Sequence, residues 1–190
     1  MTDGDLHPID ALSRPPERIG RATDATERLV LDAYDANQRD LYRFVRAAVR
    51  EQETAEDVVA EAFLRLIREV RAGRAPADVR GWLFRVAANL VISGGRRRTV
   101  AGRFLHRLVR HETVEPADAR ALRGERRDAL LEALDALPID HRAALLLAAE
   151  GYSGREIAAA IGRSESAVRT LLCRARLRLR ERLEPGEGER

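Results

Sequence analysis

The chain has 190 residues, 45% apolar and 4% aromatic, enough for one or two small domains with modest cores; β-branched alternation is scarce, so helix should dominate. All 34 basic residues are arginine against 31 acidic ones, giving a net charge of +3 and a pI near 9.7, and the absence of lysine reads as a codon habit. Cys173 is the sole cysteine, which excludes an intrachain disulfide and a cysteine-built metal site; with an acidic opening, no secretory h-region and no membrane-length apolar run, a cytoplasmic protein without membrane insertion is expected.

Residues 1–26 carry Pro8, Pro15 and Pro16 among scattered charges with little periodicity, and read as a flexible arm. From Glu27 the pattern turns helical: Leu29, Val30, Ala33 and Tyr34, then Leu41, Phe44, Val45, Ala48 and Val49, supply an amphipathic face with room for two helices. Residues 54–70 form a second periodic unit, capped by Thr54 or Glu53, with Val58, Val59, Ala62, Phe63, Leu66 and Ile67 as its buried stripe. Glu56, Asp57, Ala60, Glu61 and Arg65 are left outside, and acidic residues in a first turn already complement the helix dipole.

Gly73 and Pro76 turn residues 71–80 into a loop, and residues 81–92 form a further helix carrying the only tryptophan, Trp82. Ser93, Gly94 and Gly95 lead out of it into Arg96, Arg97 and Arg98. Between Val79 and His111 there is no acidic residue, while arginines recur at 80, 85, 96, 97, 98, 103, 107 and 110, a basic zone of the kind that tracks phosphates. Trp82 beside it can stack on a base, although a tryptophan in a helix is more often core.

Residues 99–124 read as a linker holding one short amphipathic helix at Phe104, Leu105, Leu108 and Val109. The last unit, residues 125–183, opens with Leu130, Leu131, Leu134 and Leu137 on one face, then Pro138 as a stop or restart signal, then a helix over residues 143–149; residues 184–190 are a polar tail.

Residues 152–183 carry the strongest local signal. Ser153 with Glu156 is a capping box that starts a short helix; Ile157 and Ile161 share its face, and Gly162 stands where a left-handed residue would end it. Ser164 offers a second N-cap, and Ala167, Val168, Leu171, Leu172, Ala175 and Leu179 give the next helix an apolar stripe, with Leu171 at its edge. This reads as a helix-turn-helix, a motif whose second helix enters the major groove, against the plainer reading of an exposed helical hairpin with solvated arginines. Ser166, Arg169, Thr170, Cys173 and Arg174 are the candidate base readers, while Arg176, Arg178, Arg180 and Arg182 suit phosphate oxygens. No catalytic constellation, metal motif or cofactor motif accompanies it: His7, His106, His111 and His141 are scattered, and no phosphate-binding glycine loop is present.

The order of these pieces resembles the extracytoplasmic-function (ECF) sigma factors of bacterial RNA polymerase: Ala-Glu-Asp-Val-Val-Ala-Glu-Ala-Phe-Leu-Arg-Leu from residue 55, Arg-Gly-Trp-Leu-Phe-Arg-Val-Ala-Ala-Asn-Leu from residue 80, an arginine cluster, a linker, Leu137-Pro138 and the terminal helix-turn-helix. The resemblance covers residues 27–183 and implies an all-α protein of two small helical domains joined by a flexible linker. A region 2 domain over residues 27–98 would bind core RNA polymerase through the helix bearing Glu56, Asp57 and Glu61. The same domain would open minus-ten DNA with Arg74 in the loop, Arg80, Trp82, Arg85, Asn89 and Arg96, Arg97 and Arg98. A region 4 domain over residues 125–183 would read the minus-thirty-five duplex with Ser166, Arg169, Thr170, Cys173, Arg174 and Arg176. Core polymerase and promoter DNA are the implied partners; many relatives are held inactive by an anti-sigma factor, which admits one here. The chain departs from the family pattern at Ala60, where Gln is usual, at Ser93-Gly94-Gly95, where Asp follows the Ile, and at Leu171, where Arg is common.

Two other readings compete: a free-standing dimeric helix-turn-helix regulator of operator DNA, and a helical adapter that binds only proteins. Neither has particular use for the second basic zone at Arg96 to Arg98, whereas the sigma reading uses both zones.

Overall fold

A computed structural model of the chain describes residues 17–102 and 121–183, and seven helices, with no strand, account for nearly all of them. They are α1 (Glu17–Val49), α2 (Gln52–Arg71), α3 (Val79–Gly102), α4 (Ala121–Asp135), α5 (Ile139–Ala149), α6 (Gly154–Ile161) and α7 (Glu165–Leu183). The expected arm over residues 1–26 is therefore helical from Glu17 onward. Pro15 and Pro16 precede that start in the sequence, so neither interrupts the helix's hydrogen bonds. The expected tail, most of the linker and its short amphipathic helix lie outside the described residues.

The first helical stretch is one helix and not two. Asn37, the polar residue that interrupts the apolar pattern, is buried and donates its amide to the Ala33 carbonyl one turn back, so the helix passes through it. Arg50 then turns the chain with φ of 60°, a left-handed conformation that costs a residue with a Cβ about 1 to 2 kcal/mol. Its N–H donates to the Arg46 carbonyl and its guanidinium to Asp135 at 2.7 Å, which hold it there. Because α2 starts at Gln52, Glu53 and Thr54 lie inside its first turn; the N-cap position is Glu51, which makes no side-chain cap.

The loop is shorter than the proline and glycine suggested. Asp78 accepts the Gly81 N–H at 2.9 Å and starts α3 at Val79, and α3 then runs through Ser93-Gly94-Gly95 to Gly102. Glycine at 95 reflects a close approach: a Cβ there would stand 2.9 Å from Cγ1 of Ile139 on α5. Likewise α5 begins at Ile139, directly after Pro138, earlier than the apolar run alone indicates, and α4 begins at Ala121, inside the expected linker.

The α1–α3 unit and the α4–α7 unit correspond to the two expected domains, but they are not separate bodies. One apolar cluster runs from Leu41, Phe44, Leu66 and Phe84 in the first unit into Ala144, Leu147, Ile157 and Leu172 in the second, with α3 against α5 and α6 and α1 against α4 and α5. A smaller cluster of Leu134, Leu137 and Ala175 ties α4 to α7. Burying side chains of this size contributes about 1.5 to 3 kcal/mol each, so the seam is a substantial part of the fold.

Across the seam lies a residue that the sequence reading passed over. Arg142 on α5 is buried; its guanidinium donates to Asp135 Oδ1 at 2.6 Å, to the Asp135 carbonyl at 2.7 Å and to the Ala48 carbonyl at 2.7 Å. Ala48 is in the last turn of α1, whose carbonyls have no partner within the helix, so one unit caps the other. Burial pushes the Arg142 pKa down and Asp135 pulls it back up, and an arginine stays charged through such a shift.

Candidate nucleic-acid and polymerase interface

The helix-turn-helix is built as its local sequence dictates. The Ser153 hydroxyl accepts the Glu156 N–H, and the Glu156 carboxylate accepts the Ser153 hydroxyl at 2.6 Å and the Ser153 N–H at 2.7 Å; these two bonds to the carboxylate, the hydroxyl's first, hold it below the usual carboxylate range. Gly162 ends α6 with φ of 66°, and the Ser164 hydroxyl accepts the Ala167 N–H at 3.2 Å to open α7.

On α7, Val168, Leu171, Leu172 and Ala175 are buried. Ser166, Arg169, Thr170, Cys173, Arg174 and Arg176 are all exposed, and the first four recur at three- and four-residue steps along one face. Two details of the expected stripe change. Leu171 is only 8% exposed, a core position and not an edge, and Ala167 is exposed. Neither rotates the helix, since Thr170 and Cys173 stay on the solvent side. Leu177, at 56% exposure, extends the same outer face.

The α3 candidates divide between two faces. Trp82, Arg85 and Asn89 share one, with Trp82 half-buried against the core, Arg85 exposed, and the Asn89 amide donating to the Arg85 carbonyl at 3.0 Å. Arg96, Arg97 and Arg98 continue α3, and their side chains lie outside the described residues. Arg74, in the loop, grips Glu69 with two bonds of 2.9 and 3.0 Å, which hold the Glu69 carboxyl low. Arg80 points elsewhere: it bridges Asp40 on α1 at 3.1 Å and Glu150, between α5 and α6, at 2.8 Å, and stacks on the Phe84 ring at 4.7 Å. The bond from Arg80 is the chief reason the Asp40 carboxyl sits below its ordinary range.

Asp57, Ala60, Glu61, Leu64 and Arg68 form one stripe along α2. Glu61 is engaged within its own helix, by Arg65 at 2.7 Å and Arg68 at 3.5 Å, with the Arg65 bond as the main cause of its lowered pKa; Glu56 accepts from Gln52 at 2.9 Å. Asp57 has no such partner among the described residues. Beside this stripe lies a feature that the sequence reading missed: an open apolar groove of about 480 Å³ between Val30, Leu31 and Tyr34 of α1 and Ala60, Phe63, Leu64 and Ile67 of α2. Leu31, Tyr34 and Leu64 are 62%, 45% and 48% exposed, and the small Ala60 leaves the floor open. The available signal was Leu64 recurring with Asp57 and Glu61, outside the buried stripe.

Comparison with known proteins agrees with this layout. Residues 33–100 match the family described as Sigma-70 region 2, and residues 127–179 match Sigma-70, region 4. ECF RNA polymerase sigma factor SigX of Bacillus subtilis is 30% identical over 159 residues, spanning 80% of this chain and 81% of its own length. ECF RNA polymerase sigma factor SigM of Mycobacterium tuberculosis is 31% identical over 157 residues, spanning 82% and 78%. Among solved structures, the sigma factor RpoE in complex with the anti-sigma factor NepR, from Bartonella quintana, shares the fold with a TM-score of 0.63 at 23% identity, covering 85% of this chain and 98% of that one. With both sigma regions present and relatives at 30% and 31% identity over about four-fifths of their length, the chain belongs to the ECF sigma factors of RNA polymerase, the proteins of promoter-specific transcription initiation.

Proposed function

We propose that this sigma factor divides its work among three surfaces. The α7 face of Ser166, Arg169, Thr170, Cys173, Arg174 and Arg176 reads the minus-thirty-five duplex. The α3 face of Trp82, Arg85 and Asn89, with Arg74, Arg80 and Arg96 to Arg98, holds the opened minus-ten strand. The α2 surface of Glu56, Asp57 and Glu61 docks on core polymerase, with the groove beside Ala60 and Leu64 as its apolar centre. The observation that carries this reading is the geometry of α7: every candidate reader is exposed on the side opposite the buried stripe, on a helix set by two consecutive caps. No catalytic residue is assigned. The protein works beside the chromosome in the cytoplasm, and an anti-sigma factor is a further candidate partner.

The polymerase surface is tested by Asp57→Arg with Glu61→Arg, compared with wild type for affinity to core enzyme after both are shown by circular dichroism to be folded. The double variant should bind core at least about tenfold more weakly, a loss of roughly 1.4 kcal/mol. Equal affinity would mean that these acids serve only their own helix.

A further inference from the structure

We propose that Glu69 is a positioning residue for strand holding, fixing the Arg74 guanidinium on the wall that the loop shares with Trp82 and Arg85 of α3. The inference rests on the assignment of Arg74 and the α3 face above, and it gives Glu69 no contact of its own with DNA.

The loop between α2 and α3 is tied at both ends. At the α2 end the Gly73 N–H donates to the Val70 carbonyl at 3.0 Å and the Arg74 N–H to the Glu69 carbonyl at 2.9 Å, with Gly73 at a φ of 71°. This double closure around a left-handed glycine brings together the side chains of the two residues that make the longer bond, and an apolar contact commonly fills that place. Here an ion pair fills it: Arg74 Nε and Nη2 donate to the two Glu69 carboxylate oxygens at 2.9 and 3.0 Å. At the α3 end Asp78 takes the Gly81 N–H on its carboxylate, and its carbonyl accepts the Trp82 N–H at 3.0 Å. Only Ala75, Pro76 and Ala77 lie between the ties, and proline fixes φ at one of them.

The fork is held by one edge. A guanidinium carries five N–H donors, and a carboxylate facing Nε and Nη2 takes one from each, so the Nη1 end is left for another acceptor. The Arg74 side chain is 66% exposed and that of Glu69 33%, which makes the carboxylate the inner partner and the guanidinium the outer one. Arg74, Pro76, Trp82 and Arg85 line the same cavity of about 410 Å³, so the free donors belong to the wall along which a strand held by Trp82 and Arg85 would run. Ordering a loose arginine on a ligand costs its rotamer freedom, equivalent to about two- to tenfold in affinity. With Glu69 in place that ordering precedes the strand.

The test uses holoenzyme assembled from core polymerase and wild-type, Glu69→Ala, Glu69→Gln, Arg74→Ala or Glu69→Ala/Arg74→Ala chains. The probe is a fluorescent genomic fragment that yields a run-off transcript, prepared with mismatched strands over the minus-ten element so that the single strand is already open. Arg74→Ala should weaken binding by about tenfold, the loss of one charge-assisted contact. Glu69→Ala should weaken it by about two- to tenfold, and Glu69→Gln, which keeps one acceptor oxygen, by less. Adding Glu69→Ala to Arg74→Ala should change nothing further. On charge alone, removing a carboxylate beside phosphates would tighten binding, so the sign of the Glu69→Ala effect separates positioning from simple electrostatics. Exposed pairs contribute little to folding, so the Tm of Glu69→Ala should move by less than about 4 °C. Glu69→Ala binding as tightly as wild type or more tightly, or weakening equally with and without Arg74, would overturn the proposal and leave the α3 face standing. Unchanged binding by Arg74→Ala would withdraw Arg74 from the strand site, and Glu69 with it.

Discussion

Replacing Arg142 with methionine keeps most of the side chain's length and removes a buried fork that makes three bonds of 2.6 to 2.7 Å, to the Asp135 carboxylate and to the carbonyls of Asp135 and Ala48. Hydrogen bonds to a charged group contribute about 1.5 to 3 kcal/mol each, but part of that offsets the cost of taking the guanidinium out of water. What remains after removal is a last-turn carbonyl of α1 and the Asp135 carbonyl without their donor, while the Asp135 carboxylate keeps Arg50 at 2.7 Å. Leaving two such acceptors unpaired costs about 1 to 3 kcal/mol each, so a loss of about 3 to 5 kcal/mol is expected, a large share of a total stability of about 5 to 15 kcal/mol. For a chain of this size that corresponds to roughly 6 to 20 °C in Tm, at about 2 to 4 °C per kcal/mol. Urea and thermal unfolding of wild type, Arg142→Met and Arg142→Lys would measure it. Lysine keeps the charge but not the planar fork and should fall between the other two. A loss under about 1 kcal/mol for Arg142→Met would refute the reasoning, because the buried bonds would then be worth no more than an exposed pair.

On α7, Arg169→Ala should change which promoters are preferred, by about 1 to 3 kcal/mol for a lost base contact, whereas Arg178→Ala should weaken all sequences alike; selection from a random promoter library with holoenzyme would reject the division if the two profiles coincide. Tyr152 gives a pH signature. Its hydroxyl is buried without a hydrogen-bond partner, and burial pushes its pKa up to about 12 from an ordinary value near 10. The neutral form is thus favoured in the folded chain, so this contribution to stability is fully present below pH 10 and is lost as pH rises through about 12. Tyr152→Phe should leave stability at pH 7 nearly unchanged and flatten the alkaline loss in pH-dependent unfolding; an unaltered alkaline slope would show that the loss arises elsewhere.

What could be read from the sequence was what neighbouring residues decide. The box of Ser153 and Glu156, the left-handed Gly162 and the cap at Ser164 are set within a few positions of one another, and the helix-turn-helix with its exposed face followed from them. What could not be read depends on distant partners. Gly95 looks like a helix terminator until Ile139 is placed against it, and Arg142 looks like a surface arginine until it reaches Ala48. Leu171 illustrates the middle case: helical periodicity put it beside the stripe, and only the packing of α7 on its neighbours makes it core. The same holds for the α2 surface, where charge pointed to Asp57 and Glu61 but the groove needed α1 laid beside α2. The union of two expected domains along one seam is a tertiary fact that no local pattern encodes.

The central claim, that this chain gives RNA polymerase its promoter, is tested most directly by run-off transcription of genomic fragments with core enzyme, with and without the protein. Discrete transcripts that appear only when the protein is added, with start sites sharing upstream sequence at the two elements, are the predicted result. No protein-dependent transcript from any fragment, or tight binding of the protein alone to a palindromic duplex without polymerase, would contradict it.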